Sequence, residues 1–524
     1  MVQRPLSALA GALLSGLALA GLAAGCAGNA ESLAPAAPDK PWNGRPPPEG
    51  LALMKAAAPD AAGTDAAARD FAVPRNAAAA ALPPAPFVDP KQVYDLPELI
   101  DLAQRTNPTT RMAWEAARRA ALAVGMAEAT YLPLITANVI GGSQTVTTTL
   151  PTLLGGERYF NTTAEGVSPN LALQWLVFDF GERSAVVDAA RQNSLAANVL
   201  FNASHQKLIF DVTRSYYACG AAEARLRIAL QALSNSMAIR TAAEKRAAGG
   251  LATSVEVAQA RQMVAQEELR RVEAEGALRD ARQGLLNAMG VNPMLQMRLA
   301  DSTRRPLPDA VGLPVDALVE MALAQRPDVA ASYAAMKASR SGIDVARAGR
   351  MPKVFLAGAV ATGTGSFNAN GLPTIGQQAS GTGVLVGATV PIFDGGLRAA
   401  QVKQAESLAA TAESLYRKTQ SDAAAEVVAS ANALRTALES YRAASALVRA
   451  AATTYDAALE AYRNGVGTIT AATAANNGLL DAREAQADAH AAALVAAANL
   501  AFVMGAMTST EAAMSRTPVA PAAP

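Results

Sequence analysis

A mainly α-helical chain with a β-barrel portion, built from two internal repeats, is the fold class this sequence predicts. Three observations carry the prediction. Matching residues recur at constant offsets in the two halves of the chain. Two very long stretches contain almost no helix breaker, and period-two apolar segments precede each of them. Alternation at period two marks a strand with one apolar face, whereas long runs free of Gly and Pro mark helices.

The chain opens "MVQRPLSALAGALLSGLALAGLAAGCAG". One basic residue, Arg4, precedes an apolar run of Leu and small residues, the pattern of a bacterial export signal over residues 1–25. The run ends Ala23-Ala24-Gly25-Cys26, which resembles a lipoprotein cleavage box, although Leu22 lies four residues before the cysteine where three is usual. Cys26 is therefore expected to become the first mature residue and to carry lipid, the one covalent group expected on this chain. Each buried methylene of such a lipid contributes about 0.8 kcal/mol to membrane anchoring. Residues 26–92 are rich in Ala and Pro and read as a tether; residues 508–524 read as a disordered tail.

Between tether and tail the chain reads as two copies of one unit, 93–306 and 307–507. Pro108 pairs with Pro327 and Pro133 with Pro352, at one and the same offset. Asp179 pairs with Asp394, Thr253 with Thr468 and Gly290 with Gly505, all at a second, slightly shorter offset. Constant offsets over this length indicate a duplicated domain, and the change of offset falls in a Gly/Thr-rich loop that tolerates an indel. Each unit is expected to start with one amphipathic helix, over about 95–130 and 314–350, ended by a proline. A hairpin of two short strands follows, over about 133–178 and 352–393. In the first, Leu171, Leu173, Trp175 and Val177 alternate with polar or small residues; in the second, Val384, Val386, Ala388 and Val390 do.

The long helices come next. Positions 397–464 hold no Gly or Pro, and 182–248 are interrupted only by Gly220. At 1.5 Å per residue each helix is about 100 Å long. Leu434, Leu438, Tyr441, Ser445, Val448, Ala452, Tyr455, Leu459 and Tyr462 step by fours and threes, as do Ile209, Val212, Tyr216, Cys219, Glu223, Leu226, Leu230, Leu233 and Met237. These are heptad seams. Each helix ends in a glycine turn, "AAGGLATS" with Gly249 and Gly250, or "RNGVGTIT" with Gly465 and Gly467, and a second helix returns to "LLNAMG" or "LAFVMG". Where strand becomes helix, Asp179 with Gly181 and Asp394 with Gly395 supply a capping carboxylate and a flexible corner. Four strands per chain cannot close a membrane barrel, since small barrels need about eight. Three chains would supply twelve strands.

Composition narrows the function. A net charge of +1 points to no nucleic-acid partner. Two cysteines and two histidines, in no ligand-like spacing, point to no zinc site. Cys219 on a seam reads as a small buried thiol. "TGTGSFNANG" and "GTGVLVG" are rich in glycine but open no helix and lack the GK[ST] of a phosphate loop. No nucleophile–base constellation is visible, so the chain is not expected to be an enzyme. The apolar run "AAALVAAANLAFVMGAM" aligns with the polar "ALRDARQGLLNAMG" of the other unit, so both read as packed helices rather than membrane spans.

The duplicated plan, the "FDFGER" and "FDGGLR" junctions and the "YRNGVGT" turn resemble the TolC-like outer-membrane factor family over about 94–507. The resemblance implies a homotrimer in which a 12-stranded outer-membrane β-barrel continues as a long periplasmic α-helical barrel. It implies passive export in a tripartite efflux system, with a periplasmic adaptor, an inner-membrane transporter of RND or ABC type, and outer-membrane lipid as partners. The alternatives are the same channel in type I protein secretion, or a periplasmic coiled-coil scaffold without a pore. It further implies a gate at the tips of the helix turns. Tyr462 matches the family's gate tyrosine, and Glu256 stands where the best-known member has an acidic partner. That member has arginine where this chain has Gly467, and its two acidic rings fall on Ala471 and Ala474. Glu256 is then the candidate for an acidic constriction, while Tyr462 also fits the heptad seam.

Overall fold

The computed structural model describes residues 88–151, 157–369 and 373–508. Cys26, the export signal, the tether up to residue 87 and the tail beyond 508 lie outside the described residues. Strand β1 (Val93–Tyr94) leads into helix α1 (Leu96–Thr106). Asp95 and Glu98 form a reciprocal capping box there, each side chain accepting from the other's backbone N–H at 3.0 Å. The single helix expected over 95–130 is in fact two, because α2 (Pro108–Ala129) starts afresh at Pro108. A proline ring forces the residue before it out of the helical region, and Asn107 has ψ 125°. Asn107 then caps the new helix by accepting from Thr109 N at 2.8 Å. The second half breaks the same way. After β4 (Arg298–Leu299), which pairs in parallel with β1, α5 (Val315–Gln325) stops before α6 (Pro327–Ala348).

Strands β2 (Leu134–Pro151), β3 (Glu157–Phe178), β5 (Lys353–Ala369) and β6 (Ile375–Thr389) form one antiparallel sheet in the order β2-β3-β5-β6. They are not short, at 18, 22, 17 and 15 residues. Register explains the difference. Ile135 opposes Leu173, Leu173 opposes Gly358, and Gly358 opposes Val384. Two residues along, Leu171 opposes Val360; in the other direction Trp175 opposes Leu356 and Leu356 opposes Val386. Opposed residues share a face. One face of all four strands therefore carries a continuous apolar band, left open by the protomer: Val384 is 81% exposed and Val139 73%. Beyond the band the ladder continues with polar pairs. Thr145 bonds Thr163 at 3.0 Å and Thr147 donates to Asn161 at 2.7 Å. The residues "GGSQTVTTT", read as loop, pair through their backbones without apolar alternation. "TGTGSFNA" on β5 and "GTGVLVG" on β6 are likewise paired strand.

Helices α3 (Glu182–Ala248) and α7 (Leu397–Arg463) are 67 residues each, and α4 (Ser254–Met289) and α8 (Ile469–Val503) fold back along them. Leu434, Leu438, Tyr455, Leu459 and Tyr462 of the second seam are buried. The first seam departs from expectation. Ile209, Val212, Tyr216, Cys219 and Leu233 are buried as expected, but Leu230 and Met237 are 46% and 47% exposed, and the buried line also takes in Ala222, Ala229, Ser236 and Ala243. Those four lie seven apart, and their small side chains let neighbouring helices approach closely. One core joins Leu99 and Ile100 of α1 to Val212 and Tyr216 of α3 and Met289 of α4. A second joins Leu318 of α5 to Val427, Leu434 and Val503. A third lies at the far end, where both helix turns meet. Among the described residues no helix is long and apolar enough to cross a membrane.

Candidate functional site

Two turns close the far ends of the long helices. Gly250 (φ +72°) and Gly465 (φ +83°) occupy equivalent positions. Both supply the left-handed conformation that ends each helix. Gly249 has an ordinary φ of −84°. Gly467 is held by space: a Cβ there would lie 2.9 Å from Tyr462 N and 3.0 Å from the Ala461 carbonyl carbon. Gly467→Ala is therefore expected to push the turn off the end of α7. Amide exchange at Thr468 and Ala471 should speed up, whereas unchanged exchange would refute this packing role. An arginine at 467 meets the same obstacle.

Tyr462 is fully buried, in the core formed by Ile239 and Ala243 of α3, Met263 of α4, Tyr455 and Leu459 of α7, and Ile469 of α8. Its hydroxyl donates to Glu256 Oε2 at 3.4 Å. Glu256 itself closes the capping box of α4. Its backbone N–H donates to Thr253 Oγ1 at 3.2 Å, and its Oε1 accepts from Thr253 N at 3.4 Å. Burial, followed by the negative charge of Glu256, pushes the Tyr462 phenol above its usual range, so it stays a donor.

Arg246 joins them without any motif in the sequence to mark it. From the last turn of α3 its Nη1 donates to the Tyr462 carbonyl at 2.7 Å and its Nη2 to the Leu251 carbonyl at 3.2 Å. Its guanidinium lies 4.9 Å from the centre of the Tyr462 ring. A cation over a ring face is attracted by the quadrupole, and a helix C-terminus favours positive charge. One arginine thus ties the end of α7 to the α3–α4 turn. Its counterpart in the other repeat is Ala461, so the duplication holds no sign of it. Ala471 and Ala474 place no carboxylate here.

The strand-to-helix corners form the other polar constellation. Asp179 accepts from Gly181 N at 3.3 Å, Arg183 N at 3.0 Å and Arg183 Nε at 2.7 Å. Arg183 continues to the carbonyls of Leu176 (2.7 Å), Thr130 (3.0 Å) and Val177 (3.2 Å), with Tyr131 under its guanidinium at 4.7 Å. Asp394 repeats the cap, accepting from Gly396 N at 3.0 Å and Arg398 N at 3.2 Å, but in the open. The glycine equivalent to Gly181 is Gly396, both at φ +89°, rather than Gly395. Gly395 (φ +65°) corresponds to Phe180 (φ 54°), the one non-glycine with positive φ among the described residues. Elsewhere, burial pushes the Cys219 thiol up to about 12. His490 Nε2 meets the Arg305 carbonyl at 2.9 Å, and His205 packs edge-on against Phe201. No group of three His, Cys, Asp or Glu able to hold a metal occurs among the described residues.

Comparison with known proteins places this architecture. The sequence profile described as "Outer membrane efflux protein" matches residues 99–291 and 318–506. Protein CyaE of Bordetella pertussis is 27% identical over 357 residues, 66% of this chain and 70% of CyaE. The cation efflux system protein CusC of Escherichia coli K12 is 29% identical over 231 residues, 43% of this chain and 48% of CusC. Among solved structures, the outer membrane protein VceC from Vibrio cholerae superimposes with a TM-score of 0.64 at 22% identity, covering 78% of this chain and 96% of VceC. A crystal structure of CusC gives 0.64 at 22% identity, covering 78% and 92%. At such identity these structures share the fold.

Proposed function

The chain belongs to the outer membrane efflux protein family, and from that footing we propose that it forms the outer-membrane channel of a tripartite efflux system. The observation that carries this is the sheet. Its two outer strands, β2 and β6, are edges, and its apolar face is left open. In lipid every backbone donor and acceptor must be paired, so an apolar sheet with two open edges must close on further copies. Three protomers give twelve strands, with β6 of one paired to β2 of the next. The long helices then continue the barrel as a tunnel into the periplasm. Substrate arrives from an inner-membrane transporter through a periplasmic adaptor, and the chain conducts without catalysing. Small-molecule cargo is supported by relatives named for cation efflux, fusaric acid resistance and pyoverdine export. Purified protein in planar bilayers is expected to give discrete conductance steps; protein that inserts and never conducts sinks the reading.

Cys26 carries the lipid anchor. Cells expressing the chain are expected to incorporate labelled palmitate into it, and Cys26→Ser to abolish the label. Label retained by that variant would contradict the assignment. At the tips, Tyr462, Glu256 and Arg246 form the gate, and Glu256 contributes three carboxylates to the trimer's constriction.

A further inference from the structure

Helix α4 buries one stripe of side chains, and the stripe is not all apolar. Glu256, Ala260, Met263 and Glu267 follow one another at spacings of four, three and four, which puts them on a single helix face. Glu267 is 1% exposed, deeper than Met263 at 5%. A carboxylate so placed must be fully paired or neutral, because an isolated charge is costly to remove from water. Glu267 is only half paired. Its Oε1 accepts from Arg270 Nη1 at 3.3 Å, while its buried Oε2 has no hydrogen-bond partner among the described residues.

The charged surroundings favour the neutral acid. Arg270, on α4 itself, is the one cation acting on Glu267, and α8 brings two like charges, Asp481 and Glu484. Glu484 draws on the same arginine. From α3 comes Arg225, whose guanidinium is committed to Asp488 of α8 at 2.8 and 2.9 Å. One guanidinium therefore serves two carboxylates. Burial, with the charges of Glu484 and Asp481, outweighs Arg270 and pushes the Glu267 carboxyl above its usual range. Three turns away on the same stripe, Glu256 caps α4 and accepts the Tyr462 hydroxyl at 3.4 Å.

We propose that Glu267 is a proton switch for the helix tip: neutral, it lets α4 seat its stripe, and ionised, it draws the stripe toward water and pulls Glu256 off Tyr462. That this motion opens a gate rests on the channel reading above; the protonation and the seating do not, since every group named belongs to one protomer. A carboxyl raised by packing stabilises the seated helix fully below its released value, and the contribution is lost as pH rises through the seated one. Over that window one proton changes the released fraction about tenfold per pH unit.

Two measurements on the full-length protein in detergent test this, neither of them a conductance. The infrared difference between wild type and Glu267→Gln is expected to show a protonated carboxyl at pH above the usual glutamate value of about 4.3. Glu484→Gln should move the loss of that band to lower pH and Arg270→Gln to higher pH. Amide exchange over residues 254–263 should match in wild type and Glu267→Gln when acid, because glutamine copies the neutral acid. Above the transition wild type should exchange about tenfold faster or more. No such band, shifts of the opposite sign, or an exchange ratio that ignores pH would overturn the proposal.

Discussion

Arg246→Ala is expected to raise the conductance of the reconstituted protein more than any other single substitution at the helix tips. The arginine holds two carbonyls, one at the end of α7 and one in the α3–α4 turn, and covers the Tyr462 ring. A charge-assisted hydrogen bond contributes about 1.5–3 kcal/mol and a cation over a ring about 0.5–1 kcal/mol at accessible sites. Losing about 2 kcal/mol of closed-state stabilisation shifts the equilibrium roughly thirtyfold in each protomer. Tyr462→Phe combined with Glu256→Gln should also raise conductance, but less. That pair of changes removes one long hydrogen bond, 3.4 Å, and leaves both the ring in its core and the arginine on the carbonyls. Phenylalanine is the right replacement, because truncating a buried ring to alanine costs about 3–5 kcal/mol in packing alone. Arg246→Lys should be intermediate, since a lysine reaches one carbonyl but cannot fork to two. Single-channel recordings at matched insertion rank the variants. Conductance unchanged in Arg246→Ala would remove the clamp from the gate.

How far the sequence announced this architecture depends on the kind of signal each element carries. The long helices were plain, because an absence of Gly and Pro over so many consecutive positions is a property of composition alone. Helix breaks were harder. Pro108 and Pro327 were visible as a matched pair, yet their meaning lay in the extended ψ of Asn107 and Arg326 before them. Strand length was under-read for a physical reason: only the lower part of each hairpin alternates apolar residues. Above it, Thr145, Thr147 and their partners pair through polar contacts that no hydrophobic pattern reports. Leu230 and Met237 satisfy a heptad pattern and still face outward, since Ala229 and Ser236, one residue earlier, join Cys219 and Leu233 in the buried seam. At the tips Tyr462 and Glu256 were reached through family resemblance. Arg246 escaped because its partners are backbone carbonyls, which no side-chain motif encodes. Arg183 is harder to read for a related reason: beside its pair with Asp179 it serves three backbone carbonyls, and only Arg398 at the equivalent position marks it as part of the repeated corner.

That corner makes the second large effect asymmetric between the repeats. Asp179 and Arg183 are both nearly fully buried, at 7% and 11% side-chain exposure, whereas Asp394 and Arg398 are at 26% and 36%. Removing one member of a buried pair strands the other charge, at a cost of about 3–5 kcal/mol. Arg183→Ala also orphans the three carbonyls that close the end of β3 onto α2, so it should be at least as damaging as Asp179→Ala. Either variant is expected to lower the thermal midpoint of the detergent-solubilised protein by several degrees. Asp394→Ala should lower it by clearly less, since it loses a helix cap of about 0.5–2 kcal/mol while its exposed pair in high dielectric contributes little. Acidity should act on the same site. Burial alone would raise the Asp179 carboxyl, but the hydrogen bonds and charge of Arg183 outweigh it and hold the group below its usual range. A depressed carboxylate stabilises the fold at any pH above its unfolded value and loses that contribution as pH falls through the folded one. Wild type should therefore lose more of its midpoint than Asp179→Asn between neutral pH and the acid side of the usual carboxylate range. Parallel pH profiles in the two proteins, or equal losses from Asp179→Ala and Asp394→Ala, would show that the first corner is held by its backbone geometry and not by its ion pair.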